Sequence, residues 1–269
     1  MKANIFPLWW NPWGNDGIYF NDLNVSISID NLSCDRNADY KILFLAEPSA
    51  ILPKVNEIAL ENSNQFDRIY TFNQQVLDKY ETAKLFEWGS SWLDFKDLKI
   101  DKKNHITFVT SSKNQSLGHS LRLDIFEKLK KIDFINGIEV YQHQSPPFHQ
   151  RRNDFFEKSM FHISVENSQQ KNYFTEKIVD CFASKTLPIY YGCPNLGDWF
   201  NMDGVIAFNN ISELDKIFDF IDENFYNSKL NAIEENYEIA KKFHSDNDVV
   251  PRLTKKIIQD VEQNATKRI

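Results

Sequence analysis

Short apolar runs alternate with helical spacings along most of this chain. The clearest repeat lies at 161–194, FHISVENSQQKNYFTEKIVDCFASKTLPIYYGCP. Phe161 to Val165 has the length and character of a buried strand, and Glu166, Asn167 and Ser168 open a polar loop that runs to Asn172. From Tyr173 the spacing predicts a helix, with Ile178, Cys181 and Phe182 on one face and Thr175, Glu176 and Lys177 in the first turn. Leu187 to Tyr191 is a second apolar run, closed by Gly192 and Pro194. Strand, loop, helix and strand make a βαβ unit, which packs in a parallel sheet with right-handed crossover. Ligands of such sheets bind at the strands' carboxyl ends. A helix N-terminus there offers unpaired N–H groups to a phosphate.

The N-terminal half repeats the alternation. Residues 40–46, YKILFLA, read as its best strand, 52–63 as a helix, 66–72 as a strand, 73–81 as a helix and 84–88 as a short strand. The first 35 residues are rich in aromatic and turn residues, among them Trp9, Trp10, Trp13, Pro7, Pro12, Gly14 and Gly17. They either wrap a small core or form a platform for the apolar faces of sugar rings. The polar interval Lys99 to Asn104 reads as a linker. Beyond it, 105–110 is a strand, and Leu121, Ile125, Leu129 and Ile132 mark a helix. Residues 137–142 form another strand, 205–208 a last strand, and 212–224, 228–243 and 251–264 further helices. The last helix is expected to return to the N-terminal part. The expected division is 1–100, a Rossmann-like domain; 105–245, a second Rossmann-like domain; and 246–269, the C-terminal helix.

Charge narrows the chemistry. A net charge of −7 over 269 residues argues against a nonspecific nucleic-acid binder. It leaves room for a local basic pocket. Lys177 near a helix start is locally unfavourable without an anion. Arg122 lies near the start of the 121–132 helix, after a strand and ahead of the loop at 166–172. Arginine suits phosphate because its planar fork donates two hydrogen bonds at once. Alone, each is an ordinary surface cation; together they point to a phosphate site. The positive stretch 144–160, with Pro146, Pro147, Arg151, Arg152 and Lys158, would suit the mouth of such a site.

Three cysteines, Cys34, Cys181 and Cys193, form no paired set, and a reducing compartment is the simpler expectation. No apolar run reaches the length of a membrane span, and the start lacks the apolar core of a signal peptide. The DxD at Asp246-Asn247-Asp248 reads as loop and helix-cap chemistry rather than as a metal site. The histidines show no zinc spacing, and no metal is expected.

The segment ENS-(x)4-Y-x-TEK followed by PIYYG-x-P resembles the donor-binding segment of the α1,3/α1,4-fucosyltransferases, glycosyltransferase family 10. The resemblance is dense over 161–210, diffuse over 105–160 and only suggestive before 100. It implies an α/β fold of GT-B type, two Rossmann-like domains facing a central cleft with a returning C-terminal helix. It also implies an inverting, metal-independent enzyme that moves a sugar, L-fucose, from a GDP-sugar to a saccharide hydroxyl. Carried over residue by residue, Arg122 and Lys177 approach the donor's diphosphate, Asn167 and Glu176 orient ribose or sugar hydroxyls, and Tyr173 packs against the donor. Eukaryotic members carry an N-terminal membrane anchor; this chain shows none, so a cytoplasmic enzyme of bacterial or phage type is expected, with peripheral membrane contact left open. Glu47 is the expected catalytic base, since it follows the strongest N-terminal strand and FLAEP loosely resembles the family's base position. Asp16, Asp22 and Asp39 compete for that role. Two other readings remain at this stage: transfer of a different nucleotide-linked sugar, and a non-catalytic sugar-nucleotide binding protein.

Overall fold

The computed structural model describes residues 1–93, 95–144, 152–244 and 248–265. These fall into two compact units. One comprises Met1–Trp88, Gln170–Tyr173 and Asp246–Ile269; the other comprises Gly89–Gln169 and Phe174–Ser245.

The first unit is built on a fully parallel five-stranded sheet in the order β1 (Asn4–Pro7), β2 (Val25–Ile29), β3 (Tyr40–Leu45), β4 (Arg68–Thr71), β5 (Ala83–Leu85). Helices α1 (Pro53–Asn62) and α2 (Gln74–Lys79) make the crossovers on either side of β4. Pro53 suits the first turn of α1, where an N–H has no intrahelical partner anyway. Asn73 caps α2 by accepting from the Gln75 N–H.

Two of these strands lie in the stretch expected to be merely turn-rich. The signal was present: VSISI at 25–29 alternates with period two. Val25, Ile27 and Ile29 enter one core with Ile42 and Phe44. Ser26 and Ser28 point the other way, where the Asp35 N–H donates to Ser26 Oγ (3.0 Å) and Ser28 Oγ donates to the Ser33 carbonyl (2.6 Å). Trp10 and Trp13 pack on the same core, so for them the wrapping reading holds, whereas Trp9 is 58% exposed. The C-terminal helix returns as expected: α9 (Val249–Asp260) buries Val249, Leu253 and Ile257, spaced by four, in this core. Trp13 Nε1 donates to Thr254 Oγ1 (2.8 Å), and Arg68 forks onto the Asp260 carboxylate (2.7 and 3.2 Å). Asp248 caps α9, as read from the DxD; Asp246 and Asn247 lie outside the described residues.

The second unit carries a six-stranded sheet in the order β11 (Ile206–Ala207), β10 (Leu187–Tyr191), β9 (Ser159–Val165), β6 (Lys103–Thr110), β8 (Ile138–Gln144), β7 (Phe134–Ile135). All pairings are parallel except β7 with β8. Helices α3 (Leu117–Leu129), α4 (Arg152–Lys158), α5 (Glu176–Ala183), α6 (Glu213–Phe218), α7 (Glu223–Ser228) and α8 (Leu230–Ala240) complete it. The helix expected over 212–224 divides into α6 and α7, because Asp222 takes an extended backbone and caps the second piece.

The interval expected as a linker is built into this unit. Lys102 sends its ammonium to the carbonyls of Phe156 (2.7 Å) and Ser159 (2.8 Å) and to Thr186 Oγ1 (2.8 Å), and β6 begins at Lys103. Three acceptors stand in for the water that a buried ammonium loses. The chain divides earlier, between Trp88 and Gly89.

Candidate active site

The expected βαβ unit is present. Strand β9 pairs with β10 from Phe161–Leu187 to Val165–Tyr191, and α5 lies between them in the chain. The helix starts at Glu176 rather than Tyr173. Asn172 takes a left-handed backbone (φ 66°), and Thr175 is the cap, its Oγ1 accepting from the Lys177 N–H (3.3 Å). Thr175 is itself held by Glu166. One carboxylate oxygen accepts the Thr175 N–H and the other its hydroxyl, both at 2.8 Å. The first residue of the ENS segment thus ties the end of β9 to the start of α5.

A glycine brings a second helix to the same place. The Gly118 N–H donates to the Asn167 carbonyl (3.2 Å), and a β-carbon at 118 would stand 1.9 Å from the Glu166 carbonyl oxygen and 2.8 Å from the Asn167 carbonyl. Both obstacles are backbone and cannot rotate away. Gly118→Ala is therefore expected to cost about 1–3 kcal/mol, the usual range for overpacking, and to loosen ligand binding at this end of the sheet. Thermal unfolding read with calorimetric titration checks this, and a wild-type melting temperature would show that α3 can shift freely.

A cavity of about 350 Å³ opens here, within the second unit. Arg122, Asn167, Glu176 and Lys177, four of the residues singled out from the sequence, all line it. Arg122 is 9% exposed, not the surface residue its place on the helix implied. Its Nη2 donates to Asn167 Oδ1 (2.5 Å) and its Nε to the Gly118 carbonyl (3.2 Å). Lys177 was expected to face solvent; its side chain is 22% exposed, with Nζ 3.0 Å from Thr175 Oγ1, 3.0 Å from Glu176 Oε1 and 3.6 Å from Glu166 Oε2. Desolvation works against the ammonium, but the Glu176 and Glu166 carboxylates outweigh it and hold its pKa above the usual lysine value. Glu166 is fully buried, and that burial pushes its carboxyl upward while Lys177 pulls it back.

Several lining residues escaped the sequence reading. His119 sits between Arg122, Lys113 and Lys177; burial first, then these three cations, push its pKa down to about 4. The three cations add to what burial does and make this corner of the cavity positive. Asp180 is a carboxylate on the otherwise apolar face of α5, accepting from Ser91 Oγ (2.8 Å) and the Trp92 N–H (2.9 Å). That places Trp92, 54% exposed, at the cavity's edge. Lys113 and His119 follow the carboxyl end of β6, a position that could have singled them out. The segment around Trp92 has no periodicity to read.

Two of the expected site residues lie in the first unit. Tyr173 is buried and packs its ring 4.9 Å from Phe72, outside the cavity lining. Glu47 follows β3 at its carboxyl end, as expected, and is half-buried. Pro146, Pro147 and Arg151 lie outside the described residues. Among the described residues, no group of three or more His, Cys, Asp or Glu is placed to hold a metal ion, and no helix is long and apolar enough to cross a membrane.

Comparison with known proteins bears on this geometry. The sequence model described as glycosyltransferase family 10 (fucosyltransferase) C-term matches residues 100–265. An alpha-(1,3)-fucosyltransferase of Helicobacter pylori is 27% identical over 120 residues, 45% of this chain but only 24% of that protein. Among solved structures, an α1,3-fucosyltransferase with GDP-fucose superposes with a TM-score of 0.53 at 16% identity, over 90% of this chain and 89% of that one. HepE of Anabaena in complex with UDP gives a TM-score of 0.54 at 9% identity, over 88% and 78% of the two chains. At such identities these likenesses speak for the fold alone, and that fold is α/β of GT-B type.

Proposed function

The chain belongs to glycosyltransferase family 10, and on that premise we propose that it transfers L-fucose from GDP-fucose to a saccharide hydroxyl with inversion at the anomeric carbon. The observation that carries this is the convergence of Arg122, Asn167, Glu176 and Lys177 on one cavity, at the carboxyl end of β9 and the N-terminus of α5. A base removes the acceptor hydroxyl's proton as that oxygen attacks from the face opposite the nucleotide. Electron density from the breaking C–O bond passes to the diphosphate, where Arg122, Lys177 and the positive N-terminal end of α5 neutralise it. The reading gives that neutralisation to side chains and helix rather than to a metal. Glu176 and Asn167 orient ribose or sugar hydroxyls. The resemblance also gives Tyr173 the role of packing against or hydrogen-bonding the donor, and Glu47 is the base. Residues 1–100 would hold the acceptor and 105–245 the donor. Work in the cytoplasm, where thiols stay reduced, completes this reading.

A panel of nucleotide sugars, titrated by calorimetry and then assayed for transfer to saccharide acceptors, tests the donor. GDP and GDP-fucose are expected to bind at least about tenfold more tightly than UDP and UDP-sugars, a difference of about 1.4 kcal/mol. Preference for a uridine nucleotide would overturn the donor assignment, and tight binding of GDP-fucose without transfer to any acceptor would favour a non-catalytic binder.

A further inference from the structure

A buried polar chain crosses the carboxyl ends of three adjacent strands in the first unit, and the proposed function does not use it. Asp30 directly follows β2. It is 0% exposed and takes a left-handed backbone (φ 48°), a conformation that aspartate tolerates and most residues avoid. Its Oδ1 accepts from two successive amides beyond β3, Ala46 N–H at 2.8 Å and Glu47 N–H at 3.3 Å. Glu47 is held from the other side too: Asn56, 4% exposed, donates Nδ2 to the Glu47 carbonyl (3.2 Å). Asn56 Oδ1 in turn accepts from Asn73 Nδ2 (3.0 Å), just past β4. Both peptide groups flanking the Glu47 side chain are therefore fixed by buried side chains reaching in from β2 and α1.

Burying a carboxylate beside a sheet is costly: burial raises the Asp30 carboxyl to about 6, and the two amides and the Trp9 indole offset that only in part. An apolar residue would fill the space more cheaply. It could not, however, fix the first two amides after β3. We propose that Asp30 is a positioning residue that aims Glu47, with Asn56 closing the grip on the far side of the same residue. The proposal rests on the reading of Glu47 as the base. It adds that the base's direction is set by a carboxylate seventeen positions upstream, through backbone amides rather than through contact with substrate.

The test is a double-mutant cycle on the full chain, with GDP-fucose as donor and a saccharide acceptor found in the panel above. Asp30→Ala is expected to lower kcat about tenfold while GDP affinity, measured by calorimetry, stays within about twofold. In the Glu47→Gln background the same change is expected to lower kcat by less than about twofold, because there is no base left to aim. Asp30→Asn keeps an oxygen acceptor for both amides, and it is expected to restore kcat to within about threefold of wild type. Hydrogen exchange at the Ala46 and Glu47 amides should quicken in Asp30→Ala and return towards wild type in Asp30→Asn. Equal loss from Asp30→Ala in both backgrounds would overturn the positioning role while leaving Glu47 as base. A near-wild-type rate for Glu47→Gln alone would remove the base reading, and this inference with it. If Asp30→Ala does not fold, Asp30→Asn decides by exchange and rate: unprotected amides with an unchanged kcat would refute the proposal.

Discussion

Replacing Glu47 with glutamine is expected to slow sugar transfer by about a hundredfold or more, the usual range for lost acid–base catalysis, while donor nucleotide affinity stays within about twofold. A saccharide hydroxyl is a poor nucleophile until its proton leaves, and a carboxylate at a strand's carboxyl end can take that proton as the oxygen attacks. Glutamine keeps the shape of the side chain and a hydrogen-bonding oxygen but is not basic. The backbone at 47 should not move, since Asp30 and Asn56 hold it through main-chain atoms that the substitution leaves alone. Pro48 restricts it further, biasing residue 47 towards an extended conformation. Initial rates with saturating donor, set beside a calorimetric titration with GDP, separate chemistry from binding. A wild-type rate in the folded variant would move the base elsewhere. Asp16 and Asp22 would be tested next, both being exposed, before Asp39, whose Oδ2 already accepts the Asn24 N–H (2.8 Å).

The parts of this molecule that could be read from sequence share one property: their determinants are local. The βαβ unit at 159–191 was legible because strand, cap, helix face and strand succeed one another within a single stretch. Four of the five residues expected to bind the donor then fall around one cavity because three belong to that stretch and the fourth, Arg122, follows the neighbouring strand. Tyr173 was assigned to the same helix from the spacing of its neighbours. The left-handed turn at Asn172 instead sends it against Phe72, a packing choice made by residues a hundred positions away. Lys102 read as linker because a lysine is usually solvated, and only the fold supplies its three acceptors. The missed strand at 25–29 is different. Its alternation was in plain view, outweighed by the prolines, glycines and tryptophans around it. Asp30 could not have been found at all, since nothing in IDN distinguishes a turn aspartate from one that grips another strand's amides.

Lys177→Ala is expected to lower turnover by about a hundredfold, the scale for removing a single donor aimed at charge that develops in the transition state. It should also weaken the fold, contrary to what a solvent-facing lysine would do. Removing this ammonium leaves Glu166, fully buried, without its countercharge, and breaking such a pair typically costs on the order of 3 kcal/mol or more. The loss should depend on pH in a definite direction. Burial already raises the Glu166 carboxyl above its ordinary value, and without Lys177 only the two hydrogen bonds from Thr175 oppose that rise. A carboxyl whose folded pKa exceeds its unfolded one binds a proton in the fold while the unfolded chain has already released it. The variant's stability therefore falls as pH rises from about 4.3, the unfolded value, through the raised folded value. The deficit relative to wild type should be small near pH 4.5 and largest near pH 8, as measured by denaturant unfolding across that range. Adding Glu166→Gln to Lys177→Ala removes the stranded charge while keeping an acceptor for the Thr175 N–H. The double variant should regain most of the stability at pH 8 and lose the pH dependence, yet transfer sugar no faster than Lys177→Ala alone. A deficit equal at both pH values would show that Glu166 does not depend on Lys177 for its charge. Wild-type turnover in folded Lys177→Ala would remove the lysine from the leaving diphosphate.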